Sequence, residues 1–275
     1  MRSSHIPLDE LQNWKLVVAY DGTEFRGWQV QPGLATVQGE LQAALGRITG
    51  ETPLPQGSGR TDAGVHALGQ VASFGLAAPI PPENLLRALN RTLPASIRVL
   101  ETCRMPSGFH ARHGAVAKTY EYRILSGAAD RCPPFVARYV YASPWKLNRD
   151  ALAEAAAYFV GEHDFLSFAA SDPDLATREA EDDEARSTMR VVFASAWEER
   201  VTPDGVLLVY RVRGNGFLHH MVRNLVGTMI EVGRGFWSAD AIPQILAACD
   251  RSAAGPTAPA RGLFLHSVEY PDMDH

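Results

Sequence analysis

The chain has 275 residues, 46% hydrophobic and 21% charged, a globular composition long enough for two ordinary domains, which excludes a wholly disordered or fibrous protein. No run of about 18 apolar residues escapes interruption by Arg, Asp, Glu, Pro or Gly, so no membrane span is expected, and the N-terminal MRSSHIPLDELQNWK lacks the apolar core and cleavage site of a secretory signal, which makes the cytoplasm the default location. The formal net charge of −5 counts against an anionic partner until its distribution is read: residues 172–184 (DPDLATREAEDDE) hold seven acidic residues and one Arg, and setting that net −6 aside leaves the rest of the chain at +1.

Only Lys15, Lys118 and Lys146 are lysine, and 23 of the 26 cationic residues are Arg, whose planar fork suits phosphate and base edges. A GC-rich coding bias produces the same excess, so the count alone does not separate the two. Cys103, Cys132 and Cys249 are too far apart for a CxxC motif and leave one over after any pairing, which reads as reduced packing residues without disulfides.

In chain order, residues 14–20 (WKLVVAY) form a β-rich run closed by the turn pair Asp21-Gly22. Thr36 stands at an N-cap before Val37, Leu41, Ala44 or Leu45, and Ile48 on one helical face, with Gly50 as the stop. A glycine-rich loop precedes a short strand at 71–74, a second helix covers 82–93 with Leu85, Leu86 and Leu89, and 97–101 (IRVLE) returns to strand character. A similar order then recurs. Residues 118–125 (KTYEYRIL) alternate as a strand, and Asn148 caps a helix carrying Leu152, Ala155 and Phe159. Strands are expected at 189–197 and 206–213, a long helix at 217–232, another at 239–248 and a closing strand at 263–270.

The alternation of period 2 and period 3.6 predicts a mixed α/β (α+β) protein, and the repeated order suggests two similar α/β halves, an N-terminal one at 1–110 and a C-terminal one at 111–275. The acidic stretch, near 171–185, is expected as a solvated loop inserted in the second half.

Two stretches carry candidate chemistry. In QGSGRTDAGVHALG (56–69), four glycines surround Arg60, Thr61 and Asp62, so the backbone can take positive φ and let a ligand approach. If 60–62 is extended, Arg60 and Asp62 project together, and a neighbouring cation keeps a carboxylate ionised as a nucleophile or base beneath a substrate that excludes water. The alternative is a turn in which Asp62 caps Gly64 or Val65 and Arg60 is a surface charge. In VYRVRGNGFLHHMVRN (209–224), alternation puts Arg211 and Arg213 on one strand face. Gly214 and Gly216 flank Asn215, and His219, His220, Arg223, Asn224 and Gly227 share one side of the expected helix. The adjacent histidines lack the i, i+4 spacing and carboxylate of a helical metal pair, so packing or RNA contact is the preferred reading and no metal is expected.

Tyr120 and Tyr122 share a strand face, where an extruded base could stack, although a strand tyrosine is more often core. No GxGxxG after a strand, GxxxxGK[ST], HExxH or nucleophile elbow is present, and no second acid lies near Asp62 as a standard glycosidase needs.

At these residues the chain resembles the tRNA pseudouridine synthase A family. YDGTEFRGWQVQP (20–32), TVQGEL (36–41), GRTDAGVHA (59–67), FHAR (109–112), KTYEYRI (118–124), GEHDFLSF (161–168), NGFLHHMVRNLVG (215–227) and APARGLFL (258–265) follow the order of the family's blocks. The resemblance implies isomerisation of uridine to pseudouridine in tRNA, at anticodon stem-loop positions 38 to 40, without cofactor or metal, through the aspartate of GRTDAG, here Asp62. It implies that Arg60 holds that aspartate, that Tyr120 stacks on the target base, and that Arg213 is the carboxylate's second partner. Arg211, Asn215, His219, His220 and Arg223 are the expected substrate-binding residues. It further implies a homodimer of subunits built from two halves related by a pseudo-twofold, with mainly antiparallel sheets, a cleft between the halves and tRNA touching both subunits. Two rivals are a non-catalytic tRNA-binding protein on the same scaffold and a nucleoside glycosylase. Two positions depart from the family: Ser96 replaces its more usual Asp in LPASI, and the acidic insertion is absent from compact members.

Overall fold

The computed structural model describes residues 11–170 and 187–271, and the acidic segment lies outside the described residues. The chain forms two compact units, one from residues up to 116 together with those from 264 onward, the other from 117–263. Both are mixed α and β with mainly antiparallel sheets.

In the first unit, β1 (Gln12–Tyr20) lies between β3 (His66–Leu76) and β4 (Ile97–Met105), antiparallel to both. The short β2 (Gln56–Gly57) pairs with β3, and the C-terminal β10 (Leu263–Glu269) runs parallel to β3, with Phe264 opposite His66. Alternation along β1 buries Trp14, Leu16, Val18 and Tyr20 completely or nearly so. Helices α1 (Val37–Thr49) and α2 (Pro82–Thr92) bring the buried stripes Val37-Leu41-Leu45 and Leu85-Leu89 to this core. Each such leucine contributes about 2 kcal/mol through removal from water. The opposite sheet face, with Val17 and Val71, is covered by Phe109, Ala111, Met105 and Tyr270.

In the second unit, β5 (Ala117–Leu125), β9 (Gly205–Gly214), β8 (Met189–Thr202) and β7 (Gly161–Asp164) pair antiparallel in that order, with β6 (Tyr141–Ala142) parallel to β5. Tyr122 and Tyr210 are opposite one another and fully buried. The helices are α3 (Arg149–Ala157), α4 (Met221–Gly233) and α5 (Ala241–Ala248). All but one residue of α4 is buried, the exception being Arg223.

The caps read from the sequence are present. Thr36 Oγ1 accepts from Gly39 N, Gly50 ends α1 at φ +78°, and Asn148 Oδ1 accepts from Asp150 and Ala151 N–H, each side-chain cap contributing about 1 kcal/mol. Three elements differ from expectation. The strand expected at 71–74 extends over His66–Leu76: Gly69, a poor strand former, sits where a side chain has no room, since a Cβ there would lie 2.8 Å from the His266 carbonyl oxygen. The helix expected at 217–232 begins only at Met221, because His220 takes the left-handed conformation at φ +58° and Leu218 O closes a turn onto Met221 N–H. Cys249, expected to pack, is exposed and ends α5 at φ +45°; the three cysteines are unpaired. Among the described residues no helix is long and apolar enough to cross a membrane.

Candidate active site

Backbone hydrogen bonds fasten the loop carrying Asp62 to the 20–32 segment. Trp28 N–H donates to Thr61 O at 3.0 Å, Gly64 N–H to Phe25 O at 3.3 Å, and Val65 N–H turns back onto Asp62 O at 3.1 Å. Two glycines of the 20–32 block permit this approach. A Cβ on Gly22 would lie 1.9 Å from Val65 O, and one on Gly27, at φ +88°, 2.5 Å from Thr61 O. The 20–32 segment is therefore the bed on which the 59–65 loop lies. Ser58 Oγ donates to Gln70 Oε1, and Gln70 Nε2 donates to Gly59 O, fastening the start of the loop to β3.

Within the loop, Thr61 is buried and its Oγ1 lies 2.8 Å from the Tyr20 hydroxyl. Burial lifts the Tyr20 phenol far above its ordinary range, so it stays protonated. Beside Thr61 in the chain, Arg60 is exposed and Asp62 half-buried. Asp62 contributes its carbonyl to the following turn, accepting from Val65 N–H. Behind the loop, buried His66 stacks on Phe264 with ring centroids 4.7 Å apart, its Nδ1 lying 3.1 Å from Gly22 N and 3.2 Å from Asp21 Oδ1. Ser96, the departure from the family, meets Asp21 only through its backbone carbonyl, which accepts from Asp21 N–H at 2.9 Å; a bond of that kind tolerates any side chain.

In the second unit, Tyr120 is 9% exposed and meets Phe217 edge-on, with centroids 5.0 Å apart, while Tyr122 donates to Pro259 O and is packed so closely that a Cβ on Gly262 would lie 2.7 Å from its ring. Both tyrosines are thus buried within β5, Tyr122 completely and Tyr120 against Phe217. The Arg213 guanidinium lies over the Phe193 ring at 5.0 Å, and Phe193 is the extra residue of the bulge where Val192 faces Gly214 and Ala194 faces Arg213. Arg211, on the same strand face, is bound to acids: its Nε donates to Glu121 Oε2 at 2.9 Å, and Glu198 lies 3.9 Å away.

The remaining expected binding residues also have structural work. Asn215 Oδ1 accepts from Val191 N–H at 3.0 Å and Asn215 N–H donates to Val191 O, prolonging the β8–β9 ladder past the bulge. Arg223 Nε donates to Ala258 O at 2.7 Å, and Ala258 N–H donates back to Arg223 O. His219 and His220 lie against each other, tilted at 35° with centroids 4.0 Å apart, in the turn before α4, so they do not share a helix face with Arg223 and Gly227 as the sequence suggested. Asn224, expected on that polar face, is fully buried and bonded to Phe168 O, Thr257 and Arg251.

Sequence reasoning passed over Glu121. It is 2% exposed and held between Arg123 Nε at 2.7 Å and Arg211 Nε at 2.9 Å. Burial raises its pKa, but the hydrogen bonds and charges of Arg123 and then Arg211 outweigh burial and leave it below the usual carboxylate range. The signal was present in KTYEYRI: a charged residue between two core tyrosines needs partners of opposite sign.

The profile described as tRNA pseudouridine synthase matches residues 16–113 and 155–271, and the chain belongs to this family. The particular relatives are named tRNA pseudouridine synthase A. That of Solibacter usitatus (strain Ellin6076) is 50% identical over 257 residues, covering 93% of this chain and 98% of that protein. That of Moorella thermoacetica is 46% identical over 259 residues and that of Bacillus pumilus 42% over 258, each again covering 93% and 98%.

Proposed function

We propose that this chain converts uridine to pseudouridine in tRNA, at the anticodon stem-loop, with Asp62 as the catalytic carboxylate and neither cofactor nor metal. In this isomerisation the N1–C1′ bond of uridine breaks, the base turns while held, C5–C1′ forms, the C5 proton leaves and N1 is left protonated. The sum formula is unchanged, so no oxidant, reductant or co-substrate is required. The protein must extrude the nucleotide, hold the detached base and keep water away from C1′. Asp62 serves either by attacking C1′ or by taking the C2′ proton. Arg60 holds and positions its carboxylate, Tyr120 supplies the stacking surface for the base, and Arg213 is the carboxylate's second partner. The protein works as a homodimer on tRNA in the cytoplasm.

The observation that carries this reading is the half-buried Asp62 on a loop fixed by backbone bonds to the 20–32 segment, inside a family match that spans most of the chain. The test is nucleoside analysis of a tRNA transcript after incubation with the protein. Pseudouridine is expected from the wild type, lost from the Asp62→Asn variant, and lost when uridines 38 to 40 of the transcript are replaced. Free uracil as the product would make the protein a glycosylase, and binding without any product would make it a non-catalytic tRNA-binding protein.

A further inference from the structure

Between β4 and β5 the chain makes a turn, FHARHG, that is anchored far more firmly than its surface position demands. Phe109 and Ala111 are buried pegs against Val17 and Val71. Asn13 Nδ2 donates to Phe109 O at 2.7 Å, Ala111 N–H donates to Ser73 Oγ at 3.0 Å, and the Tyr270 hydroxyl donates to Ala111 O at 2.6 Å. Three elements of the first unit, β1, β3 and the residue after β10, thus hold two alternate residues. Of the residues between and beside them, His110 is half-buried and Arg112 and His113 are exposed. A solvent-facing turn gains nothing from such rigidity unless its side chains need fixed places.

Those side chains form one cluster of donors. The His110 and His113 rings lie 4.4 Å apart, with Arg112 between them in sequence. His110 Nδ1 accepts from Arg112 N–H at 3.1 Å and from His113 N–H at 3.4 Å, so its proton sits on Nε2, which points away from the turn. Burial, then the nearby His113 and Arg112, hold the His110 ring below its ordinary pKa and hence neutral, in keeping with an accepting Nδ1. The turn lies on the sheet face with Val17 and Val71, in the unit that also carries Asp62 and Arg60.

We propose that this turn binds a phosphate group of the RNA backbone through His110 Nε2–H, the Arg112 guanidinium and the His113 ring. The site rests on the tRNA reading above and extends it: a backbone contact on the unit that carries Asp62 would set the register of the strand from which the uridine is extruded.

Binding of a tRNA transcript to the full-length protein, measured across about 50 to 250 mM salt, tests this, since removing one cation from a phosphate lowers the log–log slope by about one. Arg112→Gln is expected to weaken binding about tenfold and reduce the slope by about one. In steady-state turnover the loss should fall on KM. His110→Asn retains an oxygen to accept from the two backbone amides but lacks Nε2–H, so its turn and melting temperature should hold while affinity falls severalfold. Wild-type turnover with Arg112→Gln and His110→Asn unchanged in slope and KM would overturn the proposal and leave the synthase reading intact. A wild type that forms no pseudouridine, while its salt slope still drops on Arg112→Gln, would overturn the synthase reading and leave the phosphate site. Inorganic phosphate at constant ionic strength is the third arm: it should compete with tRNA, and phosphate that shifts the His110 and His113 ring resonances without displacing tRNA would reassign the site to the free anion.

Discussion

The loop at 59–65 and the segment at 211–224 look alike in sequence, each a glycine-flanked polar stretch beside a strand, but the two units use them differently. In the first unit the backbone does the holding: Thr61, Gly64 and Val65 are fixed through main-chain bonds, and the side chains of Arg60 and Asp62 are left half or fully exposed. In the second unit the side chains do the holding. Asn215 completes a ladder, Arg223 ties to Ala258, and Arg211 joins a row of charges with Glu121 and Glu198.

The sharpest way to break this comparison is to remove one side chain from each segment. Asp62→Asn should abolish pseudouridine formation, by about 10⁴-fold or more, with an unchanged melting temperature. If it instead destabilises the protein, Asp62 is structural and the contrast fails.

Next in size are the close approaches. In Gly227→Ala the new Cβ would lie 1.6 Å from Pro256 O, and in Gly22→Ala 1.9 Å from Val65 O. Each should cost about 3 kcal/mol in denaturant unfolding. Only Gly22→Ala disturbs the bed of the Asp62 loop, so at temperatures where both variants are folded its turnover should fall further.

Glu121→Gln should lower stability by about 1 to 2 kcal/mol, since it leaves two guanidiniums facing a neutral amide while both retain access to water. Its dependence on pH has a definite sign. A carboxylate with its folded pKa lowered adds stability above its unfolded value of 4.5, and that stability is lost as pH falls through the folded value. Wild type and variant should therefore differ at pH 7 and converge under acid, as unfolding curves at several pH values will show.

The smallest effect belongs to Asn215→Ala, about 1 kcal/mol from the lost bond to Val191 N–H, at a half-open site where water can replace the acceptor. If turnover drops far more than stability, Asn215 serves the substrate as well as the ladder.

Much of the architecture was legible without coordinates. Thr36, Gly50 and Asn148 announce helix ends because capping is a local matter, decided by residues within one turn. The alternation in 14–20 and 118–125 identifies strands because one buried face imposes period 2 whatever lies across it. The candidate loop was equally visible, since Arg-Thr-Asp among four glycines is a composition with few structural uses.

What sequence alone determined was therefore the order of elements, the mixed α/β class and the family, all properties written in neighbouring residues or in motifs of fixed spacing. Tertiary structure decided which unit the last strand completes, that His219 and His220 precede the helix, and which arginines are already bound to acids. Those outcomes depend on partners far along the chain: β10 meets β3 across roughly two hundred residues, and Glu121 finds Arg211 ninety positions away. Local pattern carries no record of such encounters, because they are selected by packing and charge compensation only once the chain has closed on itself.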